Sequence, residues 1–539
     1  MSSSPDLAAQ QGPFSAGGRS TVYAPHGAVA TSQPLATSAA LRVLEEGGNA
    51  IDAAVVAAAV LGVVEPHMTG MGGDLFALFW SAGEGRLVGL DASGKGGSLL
   101  DADALLASGV ERMPGSGPRS VTVPGAVSGW AALLERHGTL TLAEALEPAR
   151  RIAEEGFPVT PVIAAQWRAQ VPKLARDPGA AATFLFEGDR GPEAGEWFRN
   201  PDLAASYAAL QREGPGALYG GALGRRIVDH LQAEGGFLTL EDLRAHSVRW
   251  VEPLSVDYRG YTVWELPPSG QGIAALQMLE LLEPYDLAAM GHNSPEYLHH
   301  LIEAKKLAYE DLRLYVADPE WMDTSPGHLL SEDYLSTRRA LISPRAAADR
   351  EEAPEAAQAS ETIYLAVADR DGNMVSLINS VFGYFGSGVV VPGTGIVLQN
   401  RGGGFTLEPG HPNRAAPGKR PFHTIIPGFV TRDGAPWMAF GLMGGAMQPQ
   451  GHAQLLINLI DFGMEPQAAV DAARFYHLSG RSVALEPAIG ADTRRALAAL
   501  GHEISDSEPA FGGAQLVMKL ARGWAAASDP RKDGHAAGH

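Results

Sequence analysis

The sequence predicts a layered body of helices and sheets, α+β or α/β, and three observations carry that reading. Helical periodicity dominates the first 340 or so residues. A charged, alanine-rich break, LISPRAAADREEAPEAAQASE, occupies residues 341–361. Directly beyond it the chain turns to paired strand patterns joined by Asp-Gly turns. Helices and strands that share one core settle into stacked layers.

The elements follow in order. Residues 1–20 are polar, contain glycine and read as a loose arm. From Leu35 the chain runs LATSAALRVLEEGGNAIDAAVVAAAV. Gly47-Gly48 ends the first helix, glycine being the usual left-handed cap. A second helix, apolar all round and so buried, starts at Ile51. Helical patterns recur over 125–137, 142–155, 221–234 and 273–282, and a long one covers 295–315. The stretch 150–350 is therefore expected to be rich in helix and poor in strand. After the break, TIYLAVAD and MVSLINS flank Arg370-Asp371-Gly372-Asn373, a strong hairpin signal. A second hairpin centres on Asp433-Gly434. Helices are expected again over 450–462 and 466–475.

Bulk properties limit the functions open to such a body. With 539 residues the chain is long enough for two to four folding units. Its net charge of −20 gives no general attraction for phosphate backbones or anionic membranes, so nucleic acid and membrane partners are not expected. No cysteine is present, which removes disulfides, thiol nucleophiles and thiolate metal sites. The longest apolar run, Ala53–Val64, falls short of the ~20 residues a bilayer span needs. The N-terminus has no basic patch followed by an apolar core. The expectation is a cytoplasmic protein.

The residue of greatest interest lies where the break meets the first strand, at Glu361-Thr362. A threonine in a strand is ordinarily a β-branched residue that packs well. Here it opens the strand, and the bond before it lies in a cleavable segment. Cleavage would leave Thr362 N-terminal, with a free α-amine to act as base toward its own hydroxyl. Such an amine ordinarily titrates near ~8, suited to proton transfer around neutrality. Both groups belong to one residue, so their proximity is covalent.

At these residues the chain resembles the γ-glutamyltransferase family of N-terminal-nucleophile hydrolases, from about Gly27 to Pro530. The motifs that carry the resemblance include GGNAIDAAVVAAAVLGVVEPHMTGMGGDLFALFW, VPGAVSGW and PPSGQG. After the break they continue with TIYLAVADRDGNMVSLINS, FGSGVVVPGTGIVLQNR, PGKRPFHTIIP and FGLMGGAMQPQGH. The resemblance implies a four-layer αββα sandwich and an inactive precursor cut between Glu361 and Thr362. The products would be a large subunit of residues 1–361 and a small catalytic one of 362–539 that stay associated, with further dimerisation plausible. It implies that Thr362 is the nucleophile and that Ser380 supplies a supporting hydroxyl. Gly444 and Gly445 would hold the oxyanion through their amides, ahead of a helix start. The reaction implied takes an acyl group from a γ-glutamyl amide such as glutathione and passes it to water or an amine. No cofactor is implied.

Two clamps of the glutathione-processing members are missing. They hold the glutamyl α-carboxylate with an arginine, but the matching segment here, GLDASGKGG over 89–97, has none. They hold the α-amine with a carboxylate just before a phenylalanine, and that position is Gly404. Their serine pair falls on His423-Thr424, with Phe422-His423 the other choice of register. Arg401, beside Gly402-Gly403-Gly404, is a substitute carboxylate binder or else a surface ion pair, and Lys95 and His423 are lesser candidates. The pattern looks like the branch with acylase-like and oxamate-amidohydrolase-like members, so an oxamate- or glutaryl-type donor is the alternative. A non-catalytic relative acting as a binding protein is the alternative of another class.

Other constellations are weaker. Glu65, His67 and Asp74, the last at an expected turn, lack the spacing of a metal site, and none is expected. The fragment Gly393–Gly395 follows no βαβ pattern. Ser128 in GAVSGW fits no nucleophile elbow, and no His and Asp follow it convincingly.

Overall fold

The computed structural model describes residues 18–350, 361–507 and 509–539. Most of the expected N-terminal arm, and residues 351–360 of the break, lie outside them.

Two seven-stranded sheets form the centre, and every pairing within them is antiparallel. One sheet has Ile363–Ala368 and Met374–Ser380 at its middle. Ala28–Thr31 and His535–Gly538 lie on one side of them, and Asp74–Ser81, Arg86–Ala92 and Arg249–Val251 on the other. The other sheet centres on Ala435–Met443. Gly513–Lys519, Trp524–Ser528 and Val22–Ala24 flank it on one side, and Gly428–Arg432, Tyr261–Glu265 and Leu254–Tyr258 on the other. Tyr364, Ile378, Phe429, Met443 and Val517 meet between the sheets in one apolar layer. Ser376 Oγ lies 2.8 Å from Tyr364 Oη and 3.2 Å from the Phe440 carbonyl, so its polar group is satisfied across that layer.

Helices cover the outer faces. Ala50–Val64 is buried along its whole length against the first sheet. Asn49 caps it in a reciprocal capping box with Asp52. Gly272–Leu282, Pro295–Tyr315 and Met447–Ile460 share the core on the far side of the second sheet. Ser294 caps the long helix through the Tyr297 amide, and Pro295 opens it, so its sequence-read bounds coincide with the observed ones. The Asp433-Gly434 turn has φ of 51° and 74°, the paired positive values of a tight hairpin.

Two expectations need correction. The helix expected over 466–475 stops at Asp471, and Phe475 opens the strand Phe475–Ser479, which pairs with Ser482–Leu485. The middle of the chain is rich in helix as expected, and of its few strands Arg249–Val251 and Leu254–Tyr258 each form the edge of one sheet. Asp74 is not in a turn. It opens the strand Asp74–Ser81 and is fully buried.

Strands from both sides of the Glu361–Thr362 junction interleave in both sheets. A cut there would leave two pieces that separate only by breaking sheet hydrogen bonds and opening the shared apolar layer.

Candidate active site

The strand Ile363–Ala368 pairs with Met374–Ser380, placing Ile363 opposite Asn379. The residue before Ile363 and the residue after Asn379 are therefore neighbours. Thr362 is fully buried, and its Oγ1 lies 3.4 Å from the Asn379 carbonyl, a long contact that leaves the hydroxyl weakly held. Ser380 Oγ donates to the Glu361 carbonyl at 3.0 Å and accepts from the Phe382 amide at 2.8 Å. The Glu361 amide donates to the Phe382 carbonyl at 2.7 Å, and its carboxylate lies 3.1 Å from Lys532 Nζ. Glu361 is thus held by its amide, its side chain and its carbonyl, the last polarised by a hydroxyl. On the next strand Asp74 sits opposite Ser380. The preceding Gly73 is an obligatory glycine, because a Cβ there would come within 2.3 Å of the Ser380 carbonyl.

Gly444 and Gly445 form the turn from the strand Ala435–Met443 into the helix Met447–Ile460. Their φ values are 117° and 55°, and a Cβ on Gly444 would meet Gly512 Cα at 3.0 Å. Neither amide donates to a backbone carbonyl among the described residues. Two free N–H groups at a helix start suit an anion. Gly444→Ala keeps the amide but puts a Cβ 3.0 Å from Gly512 Cα at a φ of 117°, so it shifts the turn and is expected to lower the turnover number by roughly 10–100-fold, part of the effect of losing an oxyanion donor. Steady-state kinetics would check this, and unchanged turnover would refute the role.

The remaining site residues lie behind this centre. Arg401 is fully buried, so the surface ion pair considered above does not exist. Its guanidinium stacks on the Phe382 ring at 4.3 Å, donates to Thr424 Oγ1 at 3.0 Å, and has Nε 3.6 Å from Asp74 Oδ2. Burial lowers its pKa to about 10 and raises that of Asp74 to about 7, each shift opposed by the partner's charge. His423 is also fully buried, 5.0 Å from the Phe76 ring, with neither ring nitrogen hydrogen-bonded. Burial, reinforced by Arg401, holds it well below its usual range and hence neutral. A neutral imidazole is no carboxylate clamp. Gly404 lines a cavity of about 560 Å³ whose walls join apolar groups (Met113, Phe382, Leu407) to charged ones (Glu111, Arg112, Arg313, Glu408). Arg401 is not in that wall.

The arginine-free segment does receive guanidinium groups from elsewhere in the chain. Arg249 Nε donates to Asp91 Oδ2 at 3.1 Å, and Arg420 Nε donates to the Ser93 carbonyl at 3.2 Å. Ser128, for which the sequence shows no convincing histidine, has its Oγ 2.8 Å from His246 Nε2. Its hydroxyl also bonds the Gly125 carbonyl at 2.6 Å, the back-bond of a serine in a first helical turn. No motif signals these pairs, because each joins segments far apart in the chain.

Two packed antiparallel sheets covered by helices fit the N-terminal-nucleophile hydrolase class, and comparison with known proteins narrows it. A profile described as Gamma-glutamyltranspeptidase matches residues 36–539. The chain is 38% identical to a glutathione hydrolase-like YwrD proenzyme of Bacillus subtilis strain 168, over 94% of this chain and 97% of that one. It is 35% identical to an oxamate amidohydrolase proenzyme of Klebsiella pneumoniae, over 95% and 98% of the two chains. A crystal structure of cephalosporin acylase from Bacillus halodurans superposes with a TM-score of 0.92 at 43% identity, covering 98% of each chain. The chain belongs to the γ-glutamyltranspeptidase family. Among the described residues, no helix is long and apolar enough to cross a membrane.

Proposed function

We propose that this chain is an autoprocessed amide hydrolase or acyltransferase whose nucleophile is Thr362, built as an αββα sandwich from fragments 1–361 and 362–539. The observation that carries the proposal is the hydrogen bond from Ser380 Oγ to the Glu361 carbonyl, beside the Thr362 hydroxyl. In maturation, Thr362 Oγ attacks the Glu361 carbonyl carbon, the C–N bond breaks, and the nitrogen takes the hydroxyl proton. Water then hydrolyses the ester, freeing the Glu361 carboxylate and restoring the threonine hydroxyl. In turnover the new α-amine accepts the Oγ proton as Oγ attacks the substrate amide. The Gly444 and Gly445 amides stabilise the oxyanion, and the protonated amine returns its proton to the leaving amine. Water or an acceptor amine then takes the acyl group.

Ser380→Ala removes the polarising hydroxyl from the scissile carbonyl. It is expected to slow cleavage by about 10–100-fold, less than loss of a full oxyanion donor. A time course of fragment appearance on denaturing gels measures this. Cleavage at the parental rate would refute the assignment.

For the acyl donor, the environment of Gly404 favours an acylase-type or small amide substrate over γ-glutamyl compounds. The cavity wall carries no carboxylate at Gly404, and Arg401 is turned into the interior. Relatives named as acylase and oxamate amidohydrolase support the same reading. Glutaryl-4-nitroanilide and oxamate are expected to outperform γ-glutamyl-4-nitroanilide in kcat/KM. Fast turnover of the γ-glutamyl compound at micromolar KM would instead establish γ-glutamyl transfer or glutathione hydrolysis.

A further inference from the structure

The carbonyls of the turn that carries Gly444 and Gly445 are held from several directions. Gly444 O accepts from the Met447 amide at 2.9 Å, and Gly445 O accepts from the Gln448 amide at 3.1 Å. Ala446 O accepts from Gln450 Nε2 at 3.0 Å. These bonds are local to the helix start. Two others are not. Gln271 Nε2 donates to Gly445 O at 2.8 Å, and Tyr309 Oη donates to Ala446 O at 2.5 Å. Both residues precede Thr362, so the fragment without the glycines grips the turn that carries them.

Each donor is itself fixed. Gln271 is fully buried and spends its second amide hydrogen on the Thr424 carbonyl at 2.6 Å. Tyr309 is 1% exposed, on the long helix Pro295–Tyr315, with Lys305 Nζ 3.9 Å from its ring centroid. Burial raises its hydroxyl well above the usual range, so it remains a donor across the working pH range.

A peptide unit is rigid, with C=O and N–H pointing in opposite directions. Holding the Gly444 carbonyl on Met447 turns the Gly445 N–H the other way. Holding the Gly445 and Ala446 carbonyls fixes the next two peptide planes. Otherwise a Gly-Gly pair is the most freely rotating segment a chain offers. Oxyanion stabilisation is effective only when its donors need no reorganisation during reaction.

We infer that Tyr309 and Gln271 are positioning residues that clamp the Gly444–Ala446 turn, so that its amides stay aimed at the developing oxyanion. The inference rests on the oxyanion role proposed above for Gly444 and Gly445.

The test uses the mature, cleaved protein and whichever of γ-glutamyl- or glutaryl-4-nitroanilide the parent turns over. Tyr309→Phe and Gln271→Met are each expected to lower kcat by about 10–100-fold, part of the effect of losing a donor outright. KM should stay within about twofold and the thermal midpoint close to the parent's, a pattern that general loosening would not give. A kcat within twofold of the parent in both variants overturns the inference, as does a change confined to KM. If Gln271→Met fails to fold, Tyr309→Phe decides, since it removes a single oxygen. Gly444→Ala, run alongside as mature protein, and Thr362→Ala, run as the uncut chain, separate the two claims. Full turnover in either sinks the underlying site reading, whereas their loss of turnover beside unaffected clamp variants sinks only the clamp.

Discussion

Thr362→Ala is expected to leave the chain uncut at 56.6 kDa and to lower amide turnover by at least ~10³-fold. The sequence offers no ready replacement nucleophile. There is no cysteine, and the neighbouring hydroxyl of Ser380 is bonded to the Glu361 carbonyl. Because one hydroxyl would serve both maturation and turnover, a single substitution should abolish both. A denaturing gel reads the first and an anilide assay the second. N-terminal sequencing of the small fragment should begin TIYLAV. Two bands from the alanine variant would show that another group cuts the chain. A parent that stays uncut after long incubation would favour a non-catalytic binding role.

The second large effect concerns Arg401 and Asp74. Both are fully buried, and Asp74 Oδ2 has no hydrogen-bond partner beyond the longer contact with the guanidinium. Arg401→Met is therefore expected to destabilise the fold by about 3–5 kcal/mol, the usual result of leaving one buried charge without its partner. The double variant Asp74→Asn/Arg401→Met should lose less than the two single losses combined. Urea unfolding in the uncut Thr362→Ala background measures both, because it keeps one chain and one transition. Additive losses would show that the two charges do not act as a pair.

This pair also gives a pH dependence. The Asp74 carboxyl is raised from 3.8 to about 7 in the folded protein, mainly by burial. The folded state thus binds this proton more tightly than the unfolded chain does. The contribution is most favourable below about 4 and is lost as pH rises towards about 7. Without Arg401 only the Gly94 and Gly125 amides oppose the burial, so the loss should steepen and extend to higher pH in Arg401→Met. Unfolding curves between pH 5 and 8 would reveal it.

What the sequence determined by itself is mostly local. The Pro295–Tyr315 helix was legible because Ser294 caps it and Pro295 suits its first turn. The Asp433-Gly434 hairpin was legible because those residues tolerate positive φ. Thr362 stood out because a charged break and a strand pattern meet there, and the family motifs then pointed to Ser380 and the glycine pair. Phe475 was misread because a short amphipathic run fits helix or strand equally well until a partner strand is available.

Other features depend on residues distant in sequence, and only the tertiary structure decided them. Arg401 is an interior ion because Asp74 opens a neighbouring strand, and neither residue marks the other. Tyr309 and Gln271 reach the Gly444–Ala446 turn from the opposite side of the Glu361–Thr362 junction. The segment without an arginine meets Arg249 and Arg420 through pairing and packing. Periodicity, caps and turns act within a few residues, so a sequence displays them directly. A buried charge or a clamped carbonyl finds its partner only once the two sheets have closed on each other.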